Sequence, residues 1–412
     1  MYNIKLYDKV PDISPVTVKD GRIVAAHVYP VWTPGEAGLH NAFSDLKNYP
    51  ERTPLGGYYN ESNSDVQDVH IKWAVEHGIN CFIFCWYRKP ENVGKPVSVS
   101  SLRAGRGLHE GFLNASFCNK INFSIMYEMQ KPWGATDSED IEKNLMPFWV
   151  ENYFSRDNYL KIDNKPVLFV YDNSRQFADT FENAGEQKKC FDRLRELAKG
   201  YGFDGMYFAL EYRKEDMSVL ADFKERGYDF TFAYCLQTKE LVPDNEFILE
   251  EQMRQNVRRL EYDPDFFVPT ASCMWDPSPR FHTILKKKAL EKPEYTQMVW
   301  KLSPENYRIL LERLVKATPK DSFSSKMIML DNWNEWDEGH YIMPSLEFGF
   351  KYLQAVREAL TECDNLPDYR LPCDIGLEYD NPWGEPDLSH NTHRLDTDGT
   401  PYIKVEKITN NS

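Results

Sequence analysis

The chain lacks the turns that cradle phosphates. No GxGxxG follows an apolar run and no GxxxxGK[ST] occurs, so neither a dinucleotide-binding turn nor a P-loop has the residues to form. GxSxG is also missing, which removes the nucleophile elbow of a Ser/His/Asp hydrolase. None of the eight cysteines stands in CxxC spacing, so a zinc ribbon has no framework. No stretch approaches 18 consecutive apolar residues, and Met1 to Val10 contains no apolar core of a secretion signal. The expectation is a soluble protein without membrane insertion, periplasmic or cytoplasmic. Positive charge is in deficit: 49 Lys and Arg against 64 Asp and Glu leave −15. Such a surface repels phosphate backbones and anionic membranes, so nucleic acid is excluded as a partner, whereas a neutral glycan is unaffected. Repeats and low-complexity tracts are absent, and oligomeric state is left open.

What the chain does have is aromatic surplus. Phe, Trp and Tyr make up 14% of 412 residues, with 10 tryptophans. Surplus beyond the needs of a core often lines carbohydrate sites. The length suits two average domains or one large α/β barrel with long loops. The eight cysteines stand at 81, 85, 118, 190, 235, 273, 363 and 373; Cys81 and Cys85 lie within one apolar strand and most of the others in apolar runs, so they read as free buried thiols, as in a reducing compartment or a periplasmic protein without disulfides. Cys363 and Cys373 flank a Pro-rich turn and could pair.

Apolar strand-like runs alternate with helical spacing along the whole chain. Runs near residues 25, 82, 124, 168, 208, 231, 269 and 329 give eight strands. Helices are expected from Ser64 with a capping box to Gln67 and a stop at Gly78, then near 107–118, 138–152, 183–199, 215–226, 245–260, from Ser303-Pro304, and near 346–360. Eight alternations predict an α/β fold, a (β/α)8 TIM barrel with long βα loops, rather than an open sheet. Residues 1–20 read as an arm and 21–361 as the catalytic barrel. Residues 362–412 read as an extension packed on the barrel, with one strand at Pro401 to Val405.

Such barrels place their chemistry at the C-terminal ends of the strands. Here those ends carry Tyr29, Trp86, Tyr87, Glu128, Asp172, Glu211, Tyr234, Trp275, Asp276, Glu335 and Glu338. After the apolar run Met327 to Leu330 comes Asp-Asn-Trp-Asn-Glu-Trp-Asp-Glu-Gly-His-Tyr, ending at Tyr341. A run so polar and aromatic must leave the core strand and become a loop. Glu335 and Glu338, three apart, are the candidate catalytic pair: acetal hydrolysis needs one carboxyl to give a proton and a second to act as base or nucleophile. The flanking Trp333, Asn334, Trp336, His340 and Tyr341 join Tyr29, Trp86, Tyr87, Glu128, Glu211, Trp275, Asp276 and Arg280 as candidate sugar contacts. His27 and His340 are placed to bond sugar hydroxyls. The segment 274–302 carries Arg280, His282 and Lys286 to Lys288 and reads as a solvated basic lid, with contact to an anionic sugar as the alternative.

The run Trp333-Asn334-Glu335-Trp336-Asp337-Glu338-Gly339 resembles the N-E-W-x-E-G signature of glycoside hydrolase family 99, the endo-α-mannosidases and endo-α-mannanases, and more closely the related WbsX-like proteins of polysaccharide loci. His27-Val-Tyr29-Pro30, His77-Gly-Ile-Asn-Cys-Phe82 with Trp86-Tyr87, and Trp275-Asp276-x-x-x-Arg280 resemble further segments of that family, so the likeness spreads over roughly residues 23–360. The resemblance implies a retaining hydrolase on a (β/α)8 barrel that uses no metal and no cofactor. It implies that Glu335 takes the proton of a sugar 2-hydroxyl, giving a 1,2-anhydro intermediate, that Glu338 is acid and then base, and that Glu128 binds the sugar. Where the mannosidases have Thr-Gln-Ile-Glu after the glycine, this chain has His340 to Met343, and Asp337 stands where His is usual. The sugar is therefore left open. Two other readings stand beside the hydrolase: a WbsX-like glycosyltransferase in polysaccharide biosynthesis, and a non-catalytic glycan-binding barrel.

Overall fold

Each apolar run expected to form a core strand does so. The computed structural model describes residues 13–36, 42–171, 180–236, 244–280, 299–363, 365, 367–369 and 371. Asp172, His282, Lys286 to Lys288, Cys373 and the expected strand at 401–405 lie outside them. Eight parallel strands follow in chain order: β1 (Ile23–Val28), β2 (Cys81–Arg88), β3 (Asn122–Glu128), β4 (Lys165–Tyr171), β5 (Tyr207–Glu211), β6 (Phe230–Phe232), β7 (Thr270–Ser272) and β8 (Met327–Asp331). Neighbours run β6-β5-β4-β3-β2-β1-β8-β7. The ring closes just before β7, where Thr231 N donates to Phe266 O at 2.7 Å and Val268 N donates to Thr231 O at 2.9 Å.

Parallel strands covered on both faces must be apolar on both, and these are. Alternation then sorts their side chains. In β2, Phe82, Phe84 and Trp86 face the outer helices, while Cys85 and Tyr87 face the barrel interior. Phe84 packs on Phe112, and Trp86 packs on Phe148 and Trp149 and donates to Tyr153 Oη at 2.9 Å.

The outer layer comprises α1 (Ser64–Glu76), α2 (138–154, a helical segment with π-type turns), α3 (Ala184–Gly200), α4 (Leu220–Glu225), α5 (Asn245–Tyr262), α6 (Pro304–Ala317) and α7 (Lys351–Leu360). Ser303 caps α6 through Asn306 N at 3.2 Å, with Pro304 first in the helix, as the sequence predicts. At α1 the cap is Asn63, whose side chain accepts from Asp65 N at 2.9 Å. Gln67 does not complete a capping box but donates to Glu61 O at 3.0 Å. Gly78 ends this helical stretch at φ +89°. The last helix starts at Lys351 rather than near 346, because Leu346 N and Glu347 N are bonded to Thr53 O and Glu51 O of the long loop after β1, both at 2.9 Å.

The first and the last described residues meet at the base of the barrel. Val16 N donates to Val75 O at 3.0 Å, Val18 bridges Thr361, and Asp368 N donates to Glu76 Oε2 at 3.3 Å. Cys81, Cys85, Cys118, Cys190, Cys235 and Cys273 are buried free thiols, and Cys363 is free and exposed. Among the described residues no helix is long and apolar enough to cross a membrane.

Candidate active site

Asp331 ends β8, and the ten residues after it fold into a tight knot over the barrel mouth. Glu335 bridges His340, Trp336 N donates to Asn334 O at 2.9 Å, and Gly339 N donates to Trp336 O at 3.2 Å. The glycine in the motif has a steric reason. Gly339 sits at φ +65°, and a Cβ there would lie 2.5 Å from the carbonyl oxygen of Asp276. That close approach comes from Asp276 N donating to Glu338 O at 2.8 Å, which presses the segment after β7 onto the knot.

Inside the knot the charges converge. Glu335 is buried and receives four donors: Arg280 Nη2 on Oε1 at 3.0 Å, and Tyr234 Oη at 2.5 Å, Asn332 Nδ2 at 2.9 Å and His340 Nε2 at 3.1 Å on Oε2. Arg280 also bonds Asp337 (Nε to Oδ2, 3.2 Å) and Glu338. His340 turns Nδ1 to Asp331 and Nε2 to Glu338 Oε2 at 2.9 Å. Burial pushes the Glu335 carboxyl up, but His340 and Arg280 outweigh it and hold the group below the usual carboxylate range. Burial lowers Arg280, and Asp337, Tyr29 and Glu335 together raise it above its ordinary value. Glu338 is the more open of the pair, with a side chain 23% exposed against 6% for Glu335.

The other strand ends face this pair unequally. Tyr87, at the end of β2, Glu128, at the end of β3, and Tyr171, at the end of β4, surround the same interior. Burial pushes the Cys85 thiol and the Tyr87 phenol up, and the Glu128 and Glu335 carboxylates add to both. Trp133, half-buried, stands edge-on to Tyr87 at 6.1 Å, with the Arg103 guanidinium 5.0 Å from its ring. Trp275 is half-buried in a short ribbon with Trp300. The ring of Tyr29 lies 5.9 Å from the Arg280 guanidinium, and its backbone N donates to Asn334 Oδ1 at 2.8 Å.

Several expected sugar contacts are turned elsewhere. Trp86 faces α2, because adjacent residues of a strand point to opposite faces and Tyr87 takes the interior. Trp333 is buried against Phe82 and against His70 of α1. Trp336 donates to Tyr59 Oη at 3.1 Å and packs at a tilt on Tyr341, ring centres 4.3 Å apart, and both are fully buried. Asn334 spans Tyr29 N and Glu61, which fastens the long loop after β1. Asp276 pairs with Arg52 of that loop. Glu211 is buried, accepting from Arg213 Nε at 2.7 Å and Tyr234 N at 3.2 Å. His27 lies beneath Tyr234 and Phe232 with no exposure, and burial brings its imidazole down to about 3.

Other residues of the nest were not among the candidates. Tyr234 was visible only as a strand-end residue. Arg213, whose Nη2 donates to Tyr171 Oη at 3.1 Å, follows Glu211 by two positions and was findable on that ground. Asp331 and Asn332 were read as part of the polar stretch after the apolar run and not as site residues. Glu61 gave no signal, since it lies deep in a long irregular loop. Its Oε1 accepts from Asn334 Nδ2 at 3.0 Å and its Oε2 from Trp32 N at 3.2 Å, and burial pushes the carboxyl up to about 8. A folded pKa above the unfolded 4.5 means that the stabilisation is complete below that value and is lost as pH rises toward 8. Glu61→Gln is therefore expected to remove a fall of a few kcal/mol across this window, read as a flatter Tm between pH 5 and 8. An unchanged slope would refute it.

Two triads among the described residues have the spacing of a cation site: Glu335, Glu338 and His340, and Cys235, Asp331 and His340. Both depend on His340, whose two nitrogens already point at carboxylates and so offer no lone pair to an ion.

Residues 129–356 match the family described as Glycosyltransferase WbsX. Two curated relatives, both called uncharacterized protein WxcX, come from strains of Xanthomonas campestris pv. campestris. They are 21% identical over 337 residues, 75% of this chain and 43% of theirs, so the chain spans less than half their length. Among solved structures, a GH99 endo-alpha-mannosidase from Bacteroides thetaiotaomicron in complex with BIS-TRIS-propane aligns with a TM-score of 0.56 at 13% identity, over 82% of this chain and 95% of that one. A glycoside hydrolase-like protein aligns with a TM-score of 0.58 at 16% identity, over 87% and 100%. The barrel is thus the fold these structures share. With more than half of its length matched by one family model, the chain belongs to the WbsX family.

Proposed function

We propose that this chain is a glycoside hydrolase that cleaves a polysaccharide or oligosaccharide with retention of configuration. The observation that carries the reading is the pairing of Glu335 and Glu338 at the mouth of the barrel, one oxygen of each within 4.8 Å of the other. Inverting enzymes need about 6.5–9.5 Å between carboxyls to seat a water, and retaining ones about 5–5.5 Å. The pair is unequal in the way the chemistry asks. Glu335 is an anion fixed by four donors, and Glu338, more open to solvent, gives the proton and later takes one from water. Tyr87, Glu128, Tyr171 and Trp275 are the proposed sugar contacts, with Trp133 at the rim.

The four donors also bear on the route. They make Glu335 a weak base, and deprotonating a sugar 2-hydroxyl asks for a strong one. Direct attack on the anomeric carbon asks only for an anion, so it is the better match, with the 1,2-anhydro route second.

The family's description favours a second reading, glycosyl transfer. Electrostatics weigh against a nucleotide-sugar donor: among the described residues, the cations paired with Asp331, Glu335, Asp337 and Glu338 are Arg280 and His340, and a diphosphate entering an acidic mouth is repelled. Incubation with a panel of glycans, mannosides among them, and with nucleotide sugars separates the two. New reducing ends from a glycan are expected. Nucleotide release without glycan cleavage would overturn the hydrolase.

A further inference from the structure

His340 is fully buried, so no sugar touches it, yet both catalytic candidates are bonded to it. Its ring lies between carboxylates on both sides. Nδ1 faces Asp331 Oδ1, itself fully buried, and Nε2 is shared by Glu338 Oε2 at 2.9 Å and Glu335 Oε2 at 3.1 Å. A neutral imidazole has one donor and one lone pair, and here the lone pair would face an anion; only the imidazolium donates on both sides.

The remaining neighbours do not compete. The Tyr234 ring, after β6, stands edge-on at 5.6 Å. The thiols of Cys235 and Cys273 are buried and pushed up, foremost by burial. His27 on β1 is held neutral by burial, and Arg280 reaches the ring only across Glu335 and Glu338. Burial alone would lower the His340 imidazole; Asp331 and then Glu335 more than offset it and raise the group well above its ordinary value.

We propose that the Asp331–His340 pair is a positioning device, a permanent imidazolium that clamps Glu335 and Glu338 to one nitrogen and lets both be anionic at once. This use of it rests on the hydrolase reading. Two carboxylates this close ordinarily share a proton, because the second ionisation is opposed by the first. A hydrolytic cycle passes through a stage at which Glu338 has given its proton to the leaving oxygen. The imidazolium offsets the repulsion at that stage, so the proton leaves more easily. His340 itself gains and loses nothing.

The charge is tested first without any substrate. In protein labelled with 15N at histidine, the His340 resonances, assigned by their loss in His340→Gln, should stay at imidazolium shifts through pH 8. In Asp331→Asn they should become neutral below that. Titration of His340 near its ordinary 6.5 in the wild type would overturn the proposal. The second test is kinetic. His340→Gln keeps a donor but not the charge. It should raise the acid limb of the kcat/KM profile by about one pH unit and lower kcat about 100-fold with KM within threefold. Asp331→Asn should shift the limb in the same direction by less. An unchanged profile in both variants, or a rise in KM alone, would overturn the proposal. Failure of the wild type to cleave any glycan would sink the hydrolase reading, and the resonances would still decide the charge of His340.

Discussion

Glu335→Gln is expected to lower glycan cleavage about 10²–10⁴-fold. The change removes the anion but keeps the volume. It also misorients the site, because an amide offers one acceptor and one donor where four donors converge: Arg280, Tyr234, Asn332 and His340. The NH2 group must face at least one of them. Initial rates on any cleaved glycan, with a thermal melt as the folding control, check this, and a rate within threefold of wild type would remove Glu335 from the chemistry. The same residue decides the route. A 2-deoxy-2-fluoro glycoside has no 2-hydroxyl to deprotonate. Direct attack predicts a covalent adduct on Glu335 visible in intact mass; the 1,2-anhydro route predicts neither adduct nor turnover.

Arg280→Met is expected to cost about 3–5 kcal/mol of stability at neutral pH. Arg280 is the guanidinium that meets Glu335, Asp337 and Glu338 together, and Asp337 is fully buried. Without it, three carboxylates face one another, with His340 the cation left paired to them among the described residues. The sign of the pH dependence follows from Glu335, whose folded pKa lies below the unfolded 4.5. A depressed carboxyl contributes its stabilisation above the unfolded value and loses it as pH falls through the folded one. The Tm gap between wild type and variant should therefore be wide at pH 7 and begin to narrow only as pH falls below about 4.5. A gap that does not change with pH would mean that Arg280 acts by packing and not by charge.

The barrel was legible because buried parallel strands announce themselves. Ile79 to Phe84 or Met327 to Leu330 can be nothing but core, and each is followed by residues that cannot be. The candidate pair, Glu335 and Glu338, stood out for the same reason, since two glutamates beside tryptophans directly after a core strand have few other uses. Which aromatic faces the barrel interior was not legible. Trp86 and Tyr87 read alike in sequence, and the register of β2 sends one to α2 and the other to the interior. Trp333 and Trp336 look like sugar platforms but are buried wedges that hold the knot against α1 and Tyr59. Glu61, Arg213 and Asp331 needed the third dimension, because their partners lie in segments distant along the chain.

One consequence concerns the order in which the chain comes together. Tyr29 is bonded to Asn334, which lies 305 positions later, and Arg52 pairs with Asp276 across 224. The first strand is also flanked by the last, Ala25 pairing with Met329. Contacts of such sequence separation form late, since the loop must close before they stabilise anything. During synthesis from the N-terminus, β1 has β2 on one side and an open, apolar edge on the other until residue 331 has emerged. In the loop after β1, Glu61 is held early through Gln67, but its carboxylate and Arg52 lack their Asn334 and Asp276 partners until those residues have emerged. The mouth of this barrel is therefore assembled only after residue 334 has emerged, and a nascent chain stopped at 300 carries an unpaired edge strand, the usual starting point of aggregation.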